Sequence, residues 1–547
     1  MKAEKVKPLF LEAVKKLGIT EECNFLFETP KNPEHGDLTT SIAMRLAKQL
    51  KKNPRQIAQE IIDQVSANAS DMISKIEIAG PGFINITLSG KFYADGIREL
   101  FEKGENVGRS DFGKMQRVNV EYVSVNPTGL LHLGHGRNSC LGDTVATLYH
   151  WSGYDVTREY YFNNAGNQMQ NLAKSIYARY MQLFQSDFPF PEDGYHGEYI
   201  KLIAAEIREK FDNTLKNPSV ENMQIIRKYG EKWCFEKIKA TLERMKIKQD
   251  VFYNEDSLYN TGKIQEILDF FKEKKLSYVK DGATWLKFSE LGLQDDRVIV
   301  KSTGEPTYRL PDIAYHREKF RRGFDILIDI FGADHVATIP DVMAGVKALG
   351  YDSSKVHPVI YQFVTLTENG EQVKMSKRTG KSYTLDDLLD EVGPDVVRFF
   401  LLMRSGSTHL EFDLNLAREQ SEKNPVFYLQ YANARISSVI DNAKEAGIKL
   451  ENDIDFSLLT HPREISLINT AMNFGQIILD ATRKCEPQIL ADYLRLFASE
   501  FHAFYHDCRI IGVETDLQKA RLALAITTKN IIKNGLTILG ISTPDRM

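Results

Sequence analysis

Apolar residues near the start of the chain recur every three or four positions, which is the spacing of one face of an α-helix. They are Val6, Leu9, Phe10, Ala13, Val14 and Leu17. A second helical pattern lies at 41–46, and an alternating, strand-like pattern at 83–88 follows a turn at 80–82. Together these patterns predict a small α+β domain over residues 1–112.

The pattern changes near residue 113 to apolar strands separated by helices. We predict a strand at 118–125, a helix at 136–152 and a second strand at 156–162, which is the order of a βαβ unit. Further strands are predicted at 326–331 and 359–363. A βαβ unit requires a parallel sheet, so we expect an α/β domain over 113–405. The polar, helical residues around 185–285 are interpreted as an insertion in it.

No strand pattern is evident after residue 405. Helical patterns follow one another at 426–444, 464–483, 489–507 and 516–539. They predict an all-α domain over residues 406–547.

The composition is that of a globular protein, with 547 residues, 42% of them hydrophobic. The formal charge of −4 excludes a protein that is basic throughout, such as a histone, but permits a local basic face. The five cysteines form no C-x-x-C pair, which favours free thiols in a reducing compartment and argues against zinc. Without a leader peptide or a membrane span, we expect a soluble, cytoplasmic protein.

The first candidate site is the loop between the first strand and helix of the βαβ unit, which contains His132, Gly134 and His135. In parallel sheets ligands bind at this position, because the helix N-terminus offers free N–H groups to phosphate. Gly134 would let a nucleotide approach the backbone. The histidines could instead be zinc ligands, but no local Cys or His supplies a third ligand.

The second candidate is the segment Lys374-Met375-Ser376-Lys377-Arg378-Thr379-Gly380. Two lysines among small or flexible neighbours suit a loop that brings point charges to a triphosphate. The alternative is an ordinary basic surface loop. The presence of both segments in this order, each beside a predicted strand, favours nucleotide chemistry.

These segments resemble the signatures of a known family. The sequence His132-Leu133-Gly134-His135 resembles the HIGH signature, and Lys374-Met375-Ser376-Lys377 the KMSKS signature, of class I aminoacyl-tRNA synthetases. Further matched segments, at 34–37, 80–85, 162–168, 308–312, 332–335, 428–435, 539–541 and 544–547, resemble arginyl-tRNA synthetases. Position 164 is a departure, since it is Asn164 where the family usually carries Asp.

The resemblance implies a Rossmann-like catalytic domain that activates arginine. ATP, accompanied by Mg²⁺, would form arginyl-adenylate and pyrophosphate, and arginine would then pass to the 3′-terminal ribose of tRNA. The implied catalytic residues are His132, His135, Lys374 and Lys377. The implied ATP-binding residues are Gly134, Asp334, His335, Met375 and Ser376. Glu121, Asn126, Tyr308 and Asp312 would bind arginine, Tyr308 and Asp312 at its guanidinium.

The resemblance also implies that the N-terminal domain binds the elbow of the tRNA and that the C-terminal helices bind its anticodon. Phe83 and Asn85, and separately Tyr431 and Arg435, are suited to stacking on unpaired bases and hydrogen bonding to them. Either set could equally belong to the hydrophobic core. We expect a monomer whose partners are tRNA, arginine and ATP, and neither DNA nor a membrane.

Three alternatives remain. A class I synthetase for another amino acid would carry the same signatures, although the lack of a zinc motif argues against cysteine and the acidic Asp312 is a poor partner for glutamate. A small-molecule adenylyltransferase would leave the C-terminal helices without a role. A pure RNA-binding protein would not need both lysines and both histidines.

Overall fold

The computed structural model describes residues 2–19, 25–28, 30, 32–68, 71–162, 164, 166–373, 383–450 and 453–547. The N-terminal part contains four helices and one antiparallel sheet in the order β1-β3-β2. Its elements are α1 (Lys2–Lys16), β1 (Leu38–Thr40), α2 (Ile42–Leu50), α3 (Pro54–Asn68), β2 (Ile73–Ala79), β3 (Phe83–Leu88) and α4 (Gly90–Lys103). The predicted α+β unit is confirmed.

A carboxylate holds the end of this sheet together. Asp37 accepts hydrogen bonds from the backbone N–H of Leu88 at 2.8 Å and from the hydroxyl of Tyr93 on α4. Gly36 beside it has φ +83°, and a Cβ there would lie 2.5 Å from the carbonyl oxygen of Ile86. The matched segment at 34–37 therefore stabilises the domain.

The central part begins with β4 (Arg117–Glu121), α5 (Leu133–Trp151), β5 (Asp155–Phe162), α6 (Asn167–Gln182), α7 (Glu198–Phe211), α8 (Val220–Arg244) and β6 (Val251–Asn254). Then follow α9 (Asp256–Asn260), α10 (Lys263–Glu273), β7 (Ser277–Lys280), β8 (Ala283–Leu286), β9 (Arg297–Val300) and α11 (Arg309–Arg321). The strands β7, β8 and β9 form a small antiparallel sheet, which the mostly helical interpretation of 185–285 did not predict.

The remaining elements of this part are β10 (Ile326–Gly332), α12 (Ile339–Ala348), β11 (Val356–Tyr361), β12 (Val364–Glu368), β13 (Glu371–Gln372), α13 (Leu385–Val392) and α14 (Pro394–Leu402). The main sheet is parallel throughout, in the order β11-β10-β4-β5-β6. After β4, the chain adds β5 and β6 on one side of that strand. It then crosses the sheet and adds β10 and β11 on the other side of β4. This reversal is the switch point at which open parallel sheets bind ligands.

The C-terminal part comprises β14 (Leu410–Asp413), α15 (Leu414–Arg418), α16 (Pro425–Glu445), α17 (Pro462–Ala471), α18 (Phe474–Lys484), α19 (Gln488–Asp507) and α20 (Thr515–Ile538). Two details differ from the sequence prediction. The predicted helix 464–483 is two helices, because the chain is interrupted at Met472 and Asn473. The segment at 410–413 is a strand that pairs with β12, too short to give a clear pattern.

The N-terminal, central and C-terminal parts pack directly against one another. A single cluster of buried apolar side chains runs from Val6 through Val118 to Leu536. Helix α4 contacts both α17 and α20, and α18 contacts α5. In the described part of the chain, no helix has the length and apolar character needed to cross a bilayer.

Candidate active site and RNA-binding surfaces

The carboxyl ends of β4 and β10 lie side by side at the switch point. Glu121, the last residue of β4, is paired in register with Asp329 of β10. Helix α5 begins at the same edge, twelve positions after Glu121. The geometry therefore brings the His132 loop and the ends of both strands to one crevice.

The two histidines are fixed by the start of α5. His132 is the N-cap residue, and its Nδ1 accepts from the backbone N–H of Gly134 at 3.1 Å. His135 returns the bond, since its Nδ1 accepts from the backbone N–H of His132 at 3.2 Å. The rings are stacked, with centroids 3.4 Å apart. Because both Nδ1 atoms accept, each neutral imidazole carries its proton on Nε2.

His135 is held in the neutral form. Burial, followed by the neighbouring His132, lowers the pKa of His135 to about 3. A Cβ on Gly134 would lie 3.1 Å from Cε1 of His132. Glycine at 134 thus leaves room for the His132 ring. This is a second reason for glycine at this position, besides the predicted close approach of a nucleotide.

The loop after β4 has a strained backbone and is held by hydrogen bonds to neighbouring elements. Val123 and Ser124 have φ +69° and +45°, a region that L-residues seldom adopt and a β-branched residue least of all. The Val123 N–H donates to Oδ1 of Asn138 at 2.5 Å, and Ser124 Oγ donates to Glu121 at 3.0 Å. Ser124 Oγ also accepts from the backbone N–H of Tyr161 at 3.1 Å.

A network of buried charges lies beneath the crevice. Lys319 of α11 is fully buried, and its Nζ donates to Glu121 at 2.6 Å and to Asp329 at 2.5 Å. His316 contacts the other oxygen of Asp329 at 3.0 Å. Burial raises the pKa of Glu121, against the opposing effect of Lys319. At His316 burial opposes the charge, but Asp329 outweighs it and the pKa is raised.

Asp312 is in a different state from its charged neighbours. Its carboxylate accepts no hydrogen bond from any side chain in the described part of the chain. Burial raises its pKa to about 7, with Glu121 and Glu255 acting in the same direction and His316 against it. Asp312 is therefore a desolvated acid without a cation of its own.

Tyr308 lies one helical turn before Asp312, at the N-cap of α11. Its side chain is 76% exposed, and its backbone carbonyl accepts from the Asp312 N–H at 3.2 Å. The predicted pair thus shares one face of the helix start. An exposed aromatic ring beside an uncompensated carboxyl group suits a planar cation.

The other predicted pocket residues surround the same edge. Asn126 donates from Nδ2 to Oε1 of Gln168 at 2.6 Å, which ties the β4 loop to the start of α6. Asp334 and His335 follow β10 and are exposed, and the His335 ring stacks on Phe331 with centroids 5.5 Å apart. Their position beside the crevice accords with the predicted nucleotide side.

The predicted lysine segment lies outside the described residues, including Lys374, Met375, Ser376 and Lys377. The described residues that follow it are next to the histidine loop. The N–H of Leu385, at the start of α13, donates to the carbonyl of Leu131 at 2.8 Å. A Cβ on Gly136 would lie 2.9 Å from Leu385 Cδ1, so glycine permits this contact.

Two of the predicted RNA contacts lie on the outer face of β3. Phe83 is 37% exposed and Asn85 is half-buried, while Ile84 and Ile86 between and beyond them are fully buried. Side chains alternate along a strand, so Phe83 and Asn85 share the solvent side. This excludes the alternative that either residue is part of the core.

The other two lie on α16 within a larger aromatic group. The Arg435 guanidinium lies 4.5 Å from the Tyr431 ring and 5.1 Å from the Tyr505 ring, and it donates to the Tyr431 hydroxyl at 2.5 Å. His502 is 3.4 Å from Arg435, and its buried Nε2 has no partner among described atoms. Sequence reasoning missed Tyr505 and His502, because they come from α19 and no local pattern links them to α16.

Three family models match the N-terminal, central and C-terminal parts of the chain. Residues 4–88 match the arginyl tRNA synthetase N terminal domain, 97–398 the catalytic domain of tRNA synthetases class I (R), and 429–547 the DALR anticodon binding domain. The chain belongs to the arginyl-tRNA synthetase family. The resemblance and the three-part fold predicted from the sequence are confirmed.

Individual relatives agree with the family models. The arginine–tRNA ligase of Salinibacter ruber is 46% identical over 97% of both chains, and that of Bacillus subtilis is 43% identical over 100% of both. The arginyl-tRNA synthetase structure from Thermus thermophilus superposes over 100% of both chains with a TM-score of 0.76, at 20% identity. The chain is therefore an enzyme with a class I synthetase catalytic domain.

Proposed function

We propose that the crevice at β4 and β10 activates arginine with ATP and transfers it to tRNA, through the residues whose geometry is described above. The observation that carries the proposal is Asp312, a buried acid with a pKa of about 7 whose carboxylate forms no ion pair with a described residue. A guanidinium ion would supply the missing charge and ionise the carboxyl group.

Arginine would lie with its guanidinium between Asp312 and the Tyr308 ring. Its charged α-amino and carboxyl groups would face Asn126, which Gln168 orients. Glu121 would face the same substrate, but its carboxylate is already held by Lys319 and Ser124. We therefore assign Glu121 to the wall of the pocket, with its orientation fixed before the substrate binds.

ATP would lie at the start of α5. The reaction is an attack of the arginine carboxylate on the α-phosphorus, which releases pyrophosphate. The Nε2–H groups of His132 and His135 would donate to the phosphates, and a pair of neutral donors fixed by the backbone needs no reorganisation as charge develops. Lys374 and Lys377, by resemblance, would stabilise the departing pyrophosphate. Met375, Ser376, Asp334 and His335 would complete the nucleotide site.

Magnesium would enter as the ATP complex, because Mg²⁺ is usually bound through phosphates and one or two carboxylates. Among the described residues, no group of three or more His, Cys, Asp or Glu side chains could hold a metal ion. We assign no metal-binding residue to this chain.

We propose domain limits of 1–112, 113–405 and 406–547. The tRNA elbow would contact Phe83 and Asn85, and the anticodon Tyr431 and Arg435 together with His502 and Tyr505.

The four described cysteines are buried and free, which accords with a reducing, cytoplasmic compartment. We propose that the enzyme acts as a monomer, which sedimentation would test.

The decisive experiment is aminoacylation of a tRNA mixture with each of the twenty amino acids. We expect ATP-dependent charging with arginine alone. Preferential charging with another amino acid would contradict the assignment of Asp312. By family analogy we also expect pyrophosphate exchange to require tRNA, so exchange is measured with and without it.

A further inference from the structure

A cavity of about 590 Å³ lies where the C-terminal end of the chain packs against the central sheet. Its walls come from α5, β5, the segment between α8 and β6, and the end of α20 with the residues that follow it. The lining residues that matter here are Asp143, Arg158, Lys246, Lys248, Asp250 and Thr543. Pockets for small molecules have volumes of roughly 300–1,000 Å³, so this cavity has room for one.

The cavity is separate from the active-site crevice. Arg158 is the fourth residue of β5, and at 3.3 Å per residue it lies about 13 Å before Phe162, where the strand ends at the crevice. Asp143 follows His135 by two turns of α5, a rise of about 12 Å along the helix. A small ligand in this cavity would therefore not touch the arginine or the ATP of the proposed reaction.

Two cations of the lining are not hydrogen-bonded to any carboxylate that the structure describes. Lys248 is exposed, and its ammonium group forms no ion pair within the described ranges. Arg158 donates from Nη2 to Thr147 Oγ1 at 3.1 Å, whereas its Nε is 3.8 Å from Asp143, which is too far for a hydrogen bond. Most of the N–H groups of Arg158 thus remain available to a ligand.

The two carboxylates of the lining are held by the protein itself. Asp143 accepts from the Arg398 guanidinium at 2.6 Å. Asp250 accepts from the backbone N–H of Arg158 at 2.8 Å. Neither acid is therefore placed to neutralise Lys248.

The charge of the cavity is positive as a result. Lys246 is the third cation of the lining, and its Nζ lies 3.1 Å from Asp395, which is outside the lining. The cations of the lining exceed its carboxylates by one. Arg398 and Asp395, which lie behind the lining, cancel each other and leave this excess unchanged.

We infer that this cavity binds a phosphoryl group, either as free phosphate or as part of a small phosphorylated molecule. The planar guanidinium of Arg158 can donate two parallel hydrogen bonds to phosphate oxygens, and Lys248 can add a point charge. The half-buried Thr543 has a hydroxyl without a partner among the described atoms, and it can donate a further bond. The inference goes beyond the proposed function, because no step of arginine activation uses this cavity.

The experiment is a calorimetric titration of the full-length enzyme at constant ionic strength. A sulfamoyl analogue of arginyl-adenylate, which contains no phosphate, first fills the active site. The probes are inorganic phosphate and ribose 5-phosphate, with chloride as the control anion. The proteins are the wild type, Lys248→Gln, Arg158→Gln and the control Lys272→Gln, whose lysine is exposed on α10.

We expect the wild type and Lys272→Gln to bind both phosphate probes but not chloride. Lys248→Gln and Arg158→Gln should each lose about tenfold or more in affinity, since each lacks a charged hydrogen-bond donor. Phosphate should also raise the melting temperature of the wild type, because a ligand that binds only the folded state stabilises it. Lys248→Gln decides the result if Arg158→Gln folds poorly, since Lys248 is exposed.

The two probes distinguish the sources of the phosphoryl group. Tighter binding of ribose 5-phosphate would show that the rest of the cavity holds an organic group, and equal binding that phosphate alone is the ligand; both results support the inference. A wild type that binds neither probe would overturn it. Binding that is unchanged in both Lys248→Gln and Arg158→Gln would also overturn it, because the anion would then lie elsewhere.

A macromolecular source is tested separately with tRNA. Affinity for arginine tRNA, measured by fluorescence anisotropy, should be the same in the wild type and in Lys248→Gln. A loss in the variant would place a tRNA phosphate in the cavity and overturn the assignment of a small ligand. Failure of aminoacylation in the wild type would contradict the proposed function and leave the phosphate titration as an independent result.

Discussion

At the scale of single residues, the arginine site depends on Asp312, a carboxyl group whose ionised form is disfavoured by burial. Asp312→Asn keeps the shape and removes the charge that would meet the guanidinium. Loss of one partner of a buried charged pair costs about 2–5 kcal/mol, so kcat/KM for arginine should fall by roughly 30- to 5,000-fold. Steady-state kinetics with saturating ATP and tRNA measure this.

The control for this variant is citrulline, which has nearly the same shape without the charge. Its binding should change far less than that of arginine between the two proteins, and ATP binding should hardly change. Equal losses for all three, with a lowered melting temperature, would show that Asp312 is a structural residue.

A second prediction concerns pH. With a pKa of about 7 in the free enzyme, Asp312 must lose a proton before arginine binds. Arginine affinity should therefore weaken by about tenfold from pH 8 to pH 6. Calorimetry of arginine binding would show this, and the slope should vanish in Asp312→Asn. A slope that persists in the variant would assign the titration to another group.

The same pKa has a consequence for stability, with a definite sign. Because burial raises the pKa of Asp312 above its unfolded value, the folded protein binds more protons than the unfolded one between about pH 4 and pH 7. The contribution of Asp312 to stability thus falls as pH rises through this window. The melting temperature of Asp312→Asn, relative to wild type, should rise over the same range.

Sequence predicted some of these residues and not others, for physical reasons. His132 and His135 are close in the chain, so their spacing alone placed them at one helix start. Asp312 and Tyr308 were likewise one turn apart. Lys319 was not predicted, because its two partners lie 198 and 10 residues away and only folding brings them together.

At the scale of elements, α11 is joined to β4 and β10 through one buried amine. Lys319→Met would remove the amine that lies between Glu121 and Asp329, while His316 would still contact Asp329. Breaking a buried ion pair in this way costs about 3–5 kcal/mol, so the free energy of unfolding should fall by that amount. Chemical denaturation would measure it, with the exposed Lys272→Met as the control.

The activity of that variant should change as well, because Glu121 loses its fixed orientation. We expect KM for arginine to rise while KM for ATP changes little, provided that the assay is run below the melting temperature. A stability equal to that of Lys272→Met would mean that the charges are satisfied without Lys319.

Some elements and boundaries could not be predicted from the hydrophobic pattern of the sequence. Four strands of the main sheet, β4, β5, β10 and β11, were found within a few residues because they are rich in apolar residues. The fifth, β6, was missed because it is four residues long and lies within the segment interpreted as a helical insertion. The strand at 410–413 was missed, since four residues carry too little periodicity. The break at Met472 and Asn473 was missed because apolar spacing continues across it.

At the scale of the whole molecule, one arginine connects distant parts of the chain. Arg398 is fully buried; it donates to Asp143 of α5 at 2.6 Å, to the Leu539 carbonyl at 2.8 Å and to the Met245 carbonyl at 2.9 Å. Gly540 has φ +72°, and a Cβ there would lie 2.3 Å from the Arg398 guanidinium. The contact between the C-terminal helices and α5, the signature helix that begins at the His132 loop, thus needs glycine at 540.

Gly540→Ala should therefore destabilise the protein by more than backbone strain alone. Gly447→Ala is a matched control, since Gly447 also has φ +72° but nothing within 4 Å of a Cβ. The control should cost about 1–2 kcal/mol of unfolding free energy, and Gly540→Ala about 1–3 kcal/mol more because of overpacking. Equal losses in denaturant titrations would show that the clash is relieved without cost.

The order of synthesis gives the Arg398 contact a further consequence. Arg398 follows Asp143 by 255 residues, and Leu539 follows Arg398 by another 141. At roughly 5–20 residues per second, a ribosome needs about 20–80 s to travel from the signature helix to its last partner. During that interval Asp143 of α5 first lacks Arg398, and Arg398 then lacks the Leu539 carbonyl. A ribosome-bound intermediate in which Arg398 still lacks its contact with Leu539 is therefore expected from the topology of this enzyme.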